Sequence, residues 1–300
     1  MSLKLLIVGG TGFFGKSILD SFVRGRLKKF QISHLIVLSR STEKFQILHP
    51  EFVSSNVKYI NGDIAKIESL PEADIVIHAA TSSNQNDYII NSFREKQNTE
   101  FGVSNYIKLA SKFHKNTKIV YCSSGAVYGK QPENIKNIKE DFPFLDVNSL
   151  NEVKRDYALS KRNAESQINE FGASGYNVSI ARCFAFYGKY LPEDGHFAYA
   201  SFLKFAKNGK DIIVNASHDV IRSYMHANDL VDSLIKIALA SNPDCPIYNV
   251  GSDNPISIFE LAKQIAEKYS VKVIQKRNIK IDIVDRYVPN IDKLKELLHE

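Results

Sequence analysis

Short runs of Ile, Val and Leu recur along the first half of the chain, and polar or charged stretches separate them. Within each run the apolar residues follow one another without strict alternation. This is typical of strands that are covered on both faces, as in a parallel sheet. The pattern predicts strands at Leu3–Val8, Leu35–Leu38, Val57–Ile60, Ile75–His78, Lys118–Cys122 and Val178–Arg182.

Longer stretches with helical spacing of apolar residues lie between these strands. They predict helices at Phe13–Arg24, Asn98–Phe113 and Asp156–Phe171. Strands that alternate with helices of this length favour an α/β fold, with a doubly wound, Rossmann-type parallel sheet and right-handed crossovers.

The pattern changes from about Phe186, where the turn signal Tyr187-Gly188 begins a more interrupted half. We predict one domain over residues 1–185 and a smaller, mixed C-terminal lobe over residues 186–300, packed over the carboxyl edge of the sheet. The boundary is soft, and segments of the two can interleave. The lobe contains predicted helices at Phe197–Lys207, Asp229–Ala240, Ile258–Tyr269 and Ile291–Leu298.

Composition narrows the class of protein. The chain has 300 residues, with 44% hydrophobic and 24% charged residues, and no apolar run of about 18 residues that would insert into a membrane. The net charge of +6 is spread along the chain. Within Lys268–Lys280, basic residues alternate with apolar ones, as in a strand with one solvent-exposed face. We therefore expect no nucleic-acid partner.

Three cysteines, odd in number and widely spaced, form neither a metal-ligand cluster nor a disulfide framework. They favour a reducing compartment. The apolar run at Leu3–Val8 is short for the core of a secretory signal. The sequence therefore predicts a cytoplasmic protein without a metal site.

A glycine-rich loop directly follows the first strand and precedes the first helix. In Gly9-Gly10-Thr11-Gly12-Phe13-Phe14-Gly15, Gly9 allows a tight turn, Gly12 lets the backbone approach a pyrophosphate, and Gly15 permits close contact between helix and strand. The main-chain N–H groups at the helix start, including those of Phe13 and Phe14, face the phosphates. This context predicts a dinucleotide site.

Two further segments carry chemistry. Tyr157 and Lys161 lie four positions apart and share a helical face, so that the ammonium favours the phenolate of Tyr157 and prepares it for proton exchange. Ser124 follows the fifth strand at the carboxyl edge of the sheet, where its hydroxyl can orient the reacting oxygen beside Tyr157.

Together, the spacing of the glycine loop, the segment Ser124-Gly125-Ala126-Val127-Tyr128-Gly129 and the Tyr–Lys helix resemble the extended short-chain dehydrogenase/reductase superfamily, in particular its NAD(P)-dependent nucleotide-sugar epimerases, dehydratases and reductases. The resemblance implies that Lys161 also hydrogen-bonds the nicotinamide ribose. It further implies that Asp63 and Ile64 contact the adenine, and that Ala79 and Ala80 form a turn beneath the nicotinamide.

The end of the second strand bears on the choice of cofactor. A carboxylate there would bind the ribose 2′-hydroxyl of NAD, but this chain has Arg40, whose guanidinium suits a 2′-phosphate. We expect NADP, with NAD as the alternative.

The substrate side resembles the family less closely. Ala185 replaces the Asn that the resemblance implies for diphosphate binding, whereas Arg222 stands where the family carries a diphosphate-binding Arg. A structural salt bridge is the alternative role for Arg222. His196 and Cys183 are weaker acid–base candidates, for which roles in a loop or the core are favoured.

The resemblance also bears on the reaction. Related 4,6-dehydratases carry Asp-Glu after the hydroxyl residue, whereas Gly125 and Ala126 supply neither acid nor base, so we expect no dehydration. The leading hypothesis is an NADP-dependent reductase of a nucleotide-linked 4-keto-6-deoxyhexose. One alternative is a 4-epimerase with tightly bound NAD, and another is a non-catalytic protein that senses dinucleotides.

The resemblance also implies a division of roles along the chain. Residues 1–185 would bind NAD(P), and residues 186–300 would mainly bind the nucleotide sugar. The helices Asn98–Phe113 and Asp156–Phe171 would form the interface of a homodimer.

Overall fold

A computed structural model describes residues 2–81, 85–193, 197–276 and 280–299, with the main chain alone for residues 85, 86 and 280–283. In chain order, the elements through Cys183 are β1 (Leu3–Val8), α1 (Phe13–Val23), β2 (Ile32–Ser39), α2 (Thr42–Leu48), β3 (Val57–Asn61), β4 (Ile75–His78), α3 (Gln85–Phe113), β5 (Lys118–Ser124), α4 (Glu152–Ala173) and β6 (Val178–Cys183).

The later elements are shorter strands that alternate with helices. They are β7 (Phe186–Tyr187), α5 (Ala198–Lys207), β8 (Ile212–Val214), β9 (His218–Arg222), β10 (Met225–His226), α6 (Ala227–Leu239), β11 (Ile247–Val250), β12 (Ile256–Ser257), α7 (Ile258–Tyr269), β13 (Val273–Gln275), β14 (Lys280–Tyr287) and α8 (Asp292–His299).

Seven strands form a central parallel sheet in the order β11-β6-β5-β4-β1-β2-β3. The chain runs outward from β1 to β3 and then returns to β4 on the other side of β1. The loops after β1 and β4 therefore diverge and leave a crevice at the carboxyl edge, where doubly wound sheets bind ligands. The predicted α/β class with a Rossmann-type sheet is confirmed.

Both faces of the sheet are buried, which explains why its strands lack alternation. In β1, Leu5 and Ile7 pack into one core with residues of α1 and α6, whereas Leu6 and Val8 pack into a second core with residues of α3 and α4. Each fully buried side chain of this size contributes about 1.5–3 kcal/mol, so both faces favour folding.

Helix α3 begins earlier than the sequence pattern predicts. It starts at Gln85 instead of Asn98, and its backbone leaves helical geometry at Asn91, with φ −161° and ψ 87°. The first part exposes apolar side chains such as Ile90 and Phe93. Because its apolar residues do not all face the core, the usual signal of an amphipathic helix is weak there.

The C-terminal lobe has a small core of its own. Phe202 of α5, Ile212 of β8 and Leu261 of α7 are buried together. Strands β12, β9 and β14 form a three-stranded sheet, and β13 pairs with β8. The chain also returns to the central sheet after residue 186, since β11 is its edge strand and α6 covers one face. The range Lys268–Lys280, predicted as a strand with one solvent-exposed face, contains β13, in which Ile274 is exposed. Residues 277–279 of this range lie outside the described residues.

Candidate active site

The glycine loop sits at the crevice between β1 and β4. Gly9 has a φ of 86°, and a Cβ on it would lie 2.7 Å from the Cα of Ala80. Its N–H donates to the carbonyl of Leu38 at 2.8 Å, and the N–H of Ala79 donates to Val8 at 2.8 Å. The turn after β1 is thus held against the ends of β2 and β4, and only glycine fits at position 9.

Gly12 and Gly15 play different parts at the start of α1. A Cβ on Gly15 would lie 2.0 Å from the carbonyl oxygen of Gly10, so the absence of a side chain lets the helix pack against the loop. A Cβ on Gly12 would meet only the carbonyl oxygen of Gly9, 3.7 Å away. No side chain caps the helix at Gly12. This open, positively polarised helix end is suited to a pyrophosphate.

The two phenylalanines of the loop contribute their main chain rather than their rings to this helix end. The ring of Phe13 is buried in the core. Phe14 is partly buried and meets the ring of Phe186 edge-on, with centroids 5.4 Å apart. The aromatic pair Phe14 and Phe186 therefore links the loop to the first strand of the C-terminal half.

The residues predicted for the adenosine side lie at the ends of β2 and β3. Arg40 is exposed, and the part of the chain that the structure describes places no ion-pair partner beside it. The neighbouring Ser39 hydroxyl bonds the hydroxyl of Thr11 in the glycine loop at 2.7 Å. Asp63 accepts from the N–H of Ala65 at 3.0 Å, so one carboxylate oxygen already stabilises the local turn.

Ile64, the neighbour of Asp63, is held from the opposite side. Its carbonyl accepts from the side-chain amide of Asn105 on α3, 2.8 Å away. This bond anchors the loop after β3 against α3, so the position of Asp63 and Ile64 relative to the sheet edge is set by tertiary contacts.

Tyr157 and Lys161 lie on α4 and point toward the end of β5. The Nζ of Lys161 donates to the carbonyl of Cys122 at 3.0 Å and lies 5.9 Å from the ring centroid of Tyr157. Lys161 is only 1% exposed. Burial lowers the pKa of Lys161 to about 8. The structure thus brings together the phenol and the ammonium that the sequence paired.

Ser124 completes this cluster from the last position of β5, where it is buried. Burial raises the pKa of Tyr157 above its usual range, and the interaction with Ser124 acts in the opposite direction. The spacing of Tyr157 and Lys161 predicts an acidified phenol instead. Loss of hydration is the largest influence on the pKa of this phenol in the enclosed site. Tyr157 is therefore protonated at neutral pH.

Tyr287, at the end of β14, also belongs to this cluster. Its Oη lies 3.5 Å from the Oγ of Ser124. The sequence gives no local signal for this approach, because 163 positions separate Tyr287 from Ser124. Gly125 is the one relevant signal in the sequence, because a residue without a side chain beside a candidate hydroxyl leaves space for a neighbour.

On the substrate side, Arg222 makes internal contacts. Its guanidinium donates to the carboxylate of Asp285 at 2.9 Å and to the main-chain carbonyl of the same residue at 2.8 Å. This is the structural salt bridge that the sequence left open as an alternative to a diphosphate contact. The main-chain carbonyl of Ala185 accepts a hydrogen bond from the N–H of Met225 at 3.0 Å. The methyl side chain of Ala185 can form no hydrogen bond, in contrast to the Asn expected at this position.

The weaker acid–base candidates are differently placed. Burial raises the pKa of Cys183 well above its usual range, so its thiol is a poor base. Another titratable side chain, His78 at the end of β4, is fully buried, with its ring 4.9 Å from that of Tyr106, and burial lowers its pKa to about 3. Both residues behave as packing side chains. His196 lies outside the described residues.

The described part of the chain contains no helix with the length and hydrophobicity of a membrane span. The described residues also contain no group of three or more His, Cys, Asp or Glu side chains placed to hold a metal ion.

The crevice, the glycine loop and the cluster of Ser124, Tyr157 and Lys161 define a member of the extended short-chain dehydrogenase/reductase class. More particularly, the chain belongs to the NAD dependent epimerase/dehydratase family, whose sequence model matches residues 5–251.

The relatives of this chain carry several activities. UDP-glucuronic acid decarboxylase 3 of Arabidopsis thaliana is 26% identical over 306 residues, which cover 99% of this chain and 84% of the relative. The solved UDP-N-acetylglucosamine 4-epimerase of Methanobrevibacter ruminantium M1 has a TM-score of 0.80 and 18% identity, over 99% of this chain and 92% of that one. The dTDP-glucose 4,6-dehydratase of Streptomyces venezuelae, solved with NAD bound, has a TM-score of 0.81 and 20% identity, over 99% of this chain and 91% of that one.

These solved structures establish the shared fold. All three proteins are named for reactions of nucleotide sugars, but they include a decarboxylase, an epimerase and a dehydratase. From the sequence we expected that the protein does not catalyse dehydration. The relatives give this expectation no support.

Proposed function

We propose that this chain is an NADP-dependent reductase of a nucleotide-linked 4-keto-6-deoxyhexose. The observation that carries the proposal is the convergence of Ser124, Tyr157 and Lys161 at the carboxyl edge of the sheet, one strand away from the crevice that holds the glycine loop. Reduction of a carbonyl requires a hydride at carbon and a proton at oxygen.

The residues around the crevice fit a dinucleotide. The open position at Gly12 leaves room for phosphate oxygens, and the close packing at Gly9 and Gly15 keeps the loop in place. When bound, the reduced nicotinamide supplies the hydride. We propose that Gly9, Gly12, Gly15 and the main chain of Phe13 and Phe14 hold the pyrophosphate, that Ala79 and Ala80 lie beneath the nicotinamide, and that Lys161 hydrogen-bonds its ribose.

The protein's own groups handle the proton. Tyr157 donates its phenolic proton to the oxygen of the sugar carbonyl while Ser124 hydrogen-bonds the same oxygen. The ammonium of Lys161 stabilises the phenolate that remains. The raised pKa of Tyr157 supports reduction, because it keeps the phenol in the protonated form that this direction of the reaction needs.

The residues after Ser124 support reduction over elimination of water. Gly125 and Ala126 carry no acid or base. The space beside Gly125 is occupied by Tyr287 and by the ring of Phe184, whose Cζ would lie 2.6 Å from a Cβ at that position. An acidic side chain cannot enter there without displacing both.

Arg40 supports NADP as the cofactor. Its exposed guanidinium stands at the end of β2, beside Ser39 and Ser41, where the ribose 2′ position of a dinucleotide bound to the loop is expected. A guanidinium and hydroxyls suit a 2′-phosphate. We assign the adenine to Asp63 and Ile64 at the neighbouring strand end.

On the substrate side, we keep Arg222 as the proposed anchor of the nucleotide diphosphate. A diphosphate would exchange with the carboxylate of Asp285, which pairs with Arg222 at 2.9 Å. In this division, residues 1–185 bind the cofactor and residues 186–300 mainly bind the substrate.

A 4-epimerase with firmly held NAD is the second candidate, and the epimerase among the structural neighbours favours it. Two measurements on the purified protein separate the candidates. A reductase oxidises NADPH when 4-keto nucleotide sugars are added, whereas an epimerase releases stoichiometric NAD when it is denatured. If neither occurs with a panel of these sugars, the proposal fails.

A non-catalytic dinucleotide sensor is the alternative from another class. Tyr157→Phe separates it from both enzymes, because the variant keeps the ring and loses the proton donor. Turnover should fall to background while dinucleotide affinity is retained. A biological response that persists unchanged in Tyr157→Phe would support the sensor.

We further propose that the protein is a homodimer through α3 and α4. Among the described side chains of helix α3, five large apolar ones are exposed, namely Ile89, Ile90, Phe93, Phe101 and Phe113. Phe93→Ser combined with Phe101→Ser should shift the solution mass from dimer to monomer, whereas Phe205→Ser in the C-terminal lobe should not. A monomeric wild type would refute the proposal.

The three cysteines are buried and free, in keeping with the proposed cytoplasmic location.

A further inference from the structure

The oxygen of Ser124 lies between a main-chain N–H and a phenolic hydroxyl that come from different parts of the chain. The N–H of Ala126 donates to Ser124 Oγ at 3.2 Å. The phenolic Oη of Tyr287 lies 3.5 Å from the same atom. A hydroxyl has one proton to donate and two lone pairs to accept with. If both donors occupy the lone pairs, the proton of Ser124 has to point elsewhere.

Tyr157 also faces this hydroxyl, and its interaction with Ser124 acts to lower the pKa of Tyr157. A proton donated by Ser124 toward Tyr157 stabilises the phenolate over the phenol, because hydrogen bonding to a charged form favours that form. The direction of this one hydrogen bond therefore affects how readily Tyr157 gives up its proton.

Tyr287 is fixed in position by its surroundings. Its ring packs against that of Phe184 with centroids 4.6 Å apart. Its Oη would lie 2.7 Å from a Cβ on Gly125, so the phenol fits beside Ser124 only because position 125 has no side chain. Burial raises the pKa of Tyr287 above its usual range, and the group therefore remains a donor throughout the pH range of a folded protein.

We propose that Tyr287 is a positioning residue of the active site, which donates to Ser124 and so directs the single Ser124 proton to the side of Tyr157, where the reacting oxygen would also lie. The inference deepens the proposed function, since it rests on Tyr157 as the proton donor. It assigns to β14, in the C-terminal lobe, a part in the chemistry of the sheet edge.

Several titratable groups face Tyr157 and contribute to its ionisation. They are Tyr88 from α3, Lys161 from α4, Tyr121 from β5, Cys183 from β6 and Tyr287 from β14. Of these, Tyr287 shares Ser124 with Tyr157. Its effect should therefore depend on Ser124, and this dependence can be measured.

The kinetic experiment is a double-mutant cycle in the full chain. Tyr287→Phe keeps the ring against Phe184 and removes the hydroxyl, which should lower kcat about tenfold and change KM less than about twofold. In the Ser124→Ala background the same change should alter kcat less than about twofold, because the residue through which it acts is gone. An equal loss in both backgrounds would overturn the proposal.

The pH profile gives a second readout. For oxidation of the sugar alcohol, Tyr287→Phe should move the rising limb of kcat to higher pH, since the Ser124 proton is no longer committed to Tyr157. A merely structural role would lower kcat evenly across the profile. Tyr176→Phe is the matched control, because it removes a phenol that donates to Ser111 at 3.2 Å, outside the cluster, and both parameters should stay unchanged.

Spectra of the protein with isotope-labelled tyrosine Cζ need no turnover. The Tyr157 signal, assigned by its loss in Tyr157→Phe, should shift in Tyr287→Phe and remain in place in Tyr176→Phe. An unmoved signal would refute the role of Tyr287. If the wild type converts no nucleotide sugar but the signal shifts, the proposed function fails while the hydrogen-bond arrangement stands.

Discussion

Lys161 donates a hydrogen bond from Nζ to the main-chain carbonyl of Cys122, 3.0 Å away. Since Lys161 shares α4 with Tyr157, and Cys122 precedes Ser124 on β5, this bond holds the phenol and the hydroxyl at a set separation. Nζ also lies 3.4 Å from the Oη of Tyr121. The described residues offer no carboxylate within ion-pair distance of Nζ. The positive charge is therefore stabilised by the carbonyl and hydroxyl dipoles and by the ring of Tyr121.

This arrangement predicts opposite effects of Lys161→Met on activity and stability. We expect kcat to fall at least about 100-fold, because the phenolate of Tyr157 loses its stabilising charge. The free energy of unfolding should stay the same or rise, because the cost of burying the ammonium disappears. Steady-state kinetics and denaturant unfolding measure the two quantities. Lys154→Met, at an exposed position of the same helix, should change neither. A Lys161→Met variant with wild-type kcat would contradict the role of Lys161.

The glycine loop predicts that Gly12→Ala and Gly15→Ala fail in different ways. At Gly12 a methyl group fits the folded chain but occupies the space proposed for phosphate oxygens, so dinucleotide affinity should fall at least about tenfold with unchanged stability. At Gly15 a methyl group would overlap the carbonyl of Gly10, which should cost about 1–3 kcal/mol of stability. Calorimetric titration and urea unfolding test the pair. Normal dinucleotide affinity in Gly12→Ala would show that the phosphates bind elsewhere.

Arg40 predicts the preference between the two dinucleotides. Arg40→Ala should weaken NADPH binding about 10- to 100-fold, the loss expected for a charge-assisted hydrogen bond to the 2′-phosphate, and leave NADH binding within about twofold. Both affinities can be read from the fluorescence of the reduced cofactors. Arg26→Ala is a control, since this partly exposed arginine pairs with Asp232. Equal losses for NADPH and NADH would remove the argument for NADP.

His78 predicts acid sensitivity. Burial lowers its pKa from 6.5 to about 3, so between these values the unfolded chain binds a proton that the folded chain does not. Stability is therefore lost as the pH falls through this window, by up to about 5 kcal/mol when the loss is complete.

His78→Phe should reduce this loss in acid unfolding curves. Phenylalanine keeps a ring between Tyr106 and Tyr121, and the nitrogens of His78 have no hydrogen-bond partner among the described residues. His34→Gln, at an exposed position, should retain the wild-type dependence on pH. A wild type whose stability is level from pH 6.5 to 4 would show that His78 accepts its proton without unfolding.

Local sequence was sufficient for much of the fold and for half of the site. Six of the seven strands of the central sheet, the helix Ile258–Tyr269 and the loop Gly9–Gly15 follow from hydrophobic spacing and from the conformations that glycine allows. Tyr157 and Lys161 could be paired because one turn of helix separates them. These are relations between near neighbours, and backbone geometry makes them readable along the chain.

Other features were decided by tertiary structure alone. The return of β11 to the central sheet, the pairing of Arg222 with Asp285 and the approach of Tyr287 to Ser124 join segments that are distant in the sequence. The raised pKa of Tyr157 also depends on enclosure by several elements. Contacts of this kind depend on how completed helices and strands pack, and burial acts on a side chain only once that packing exists.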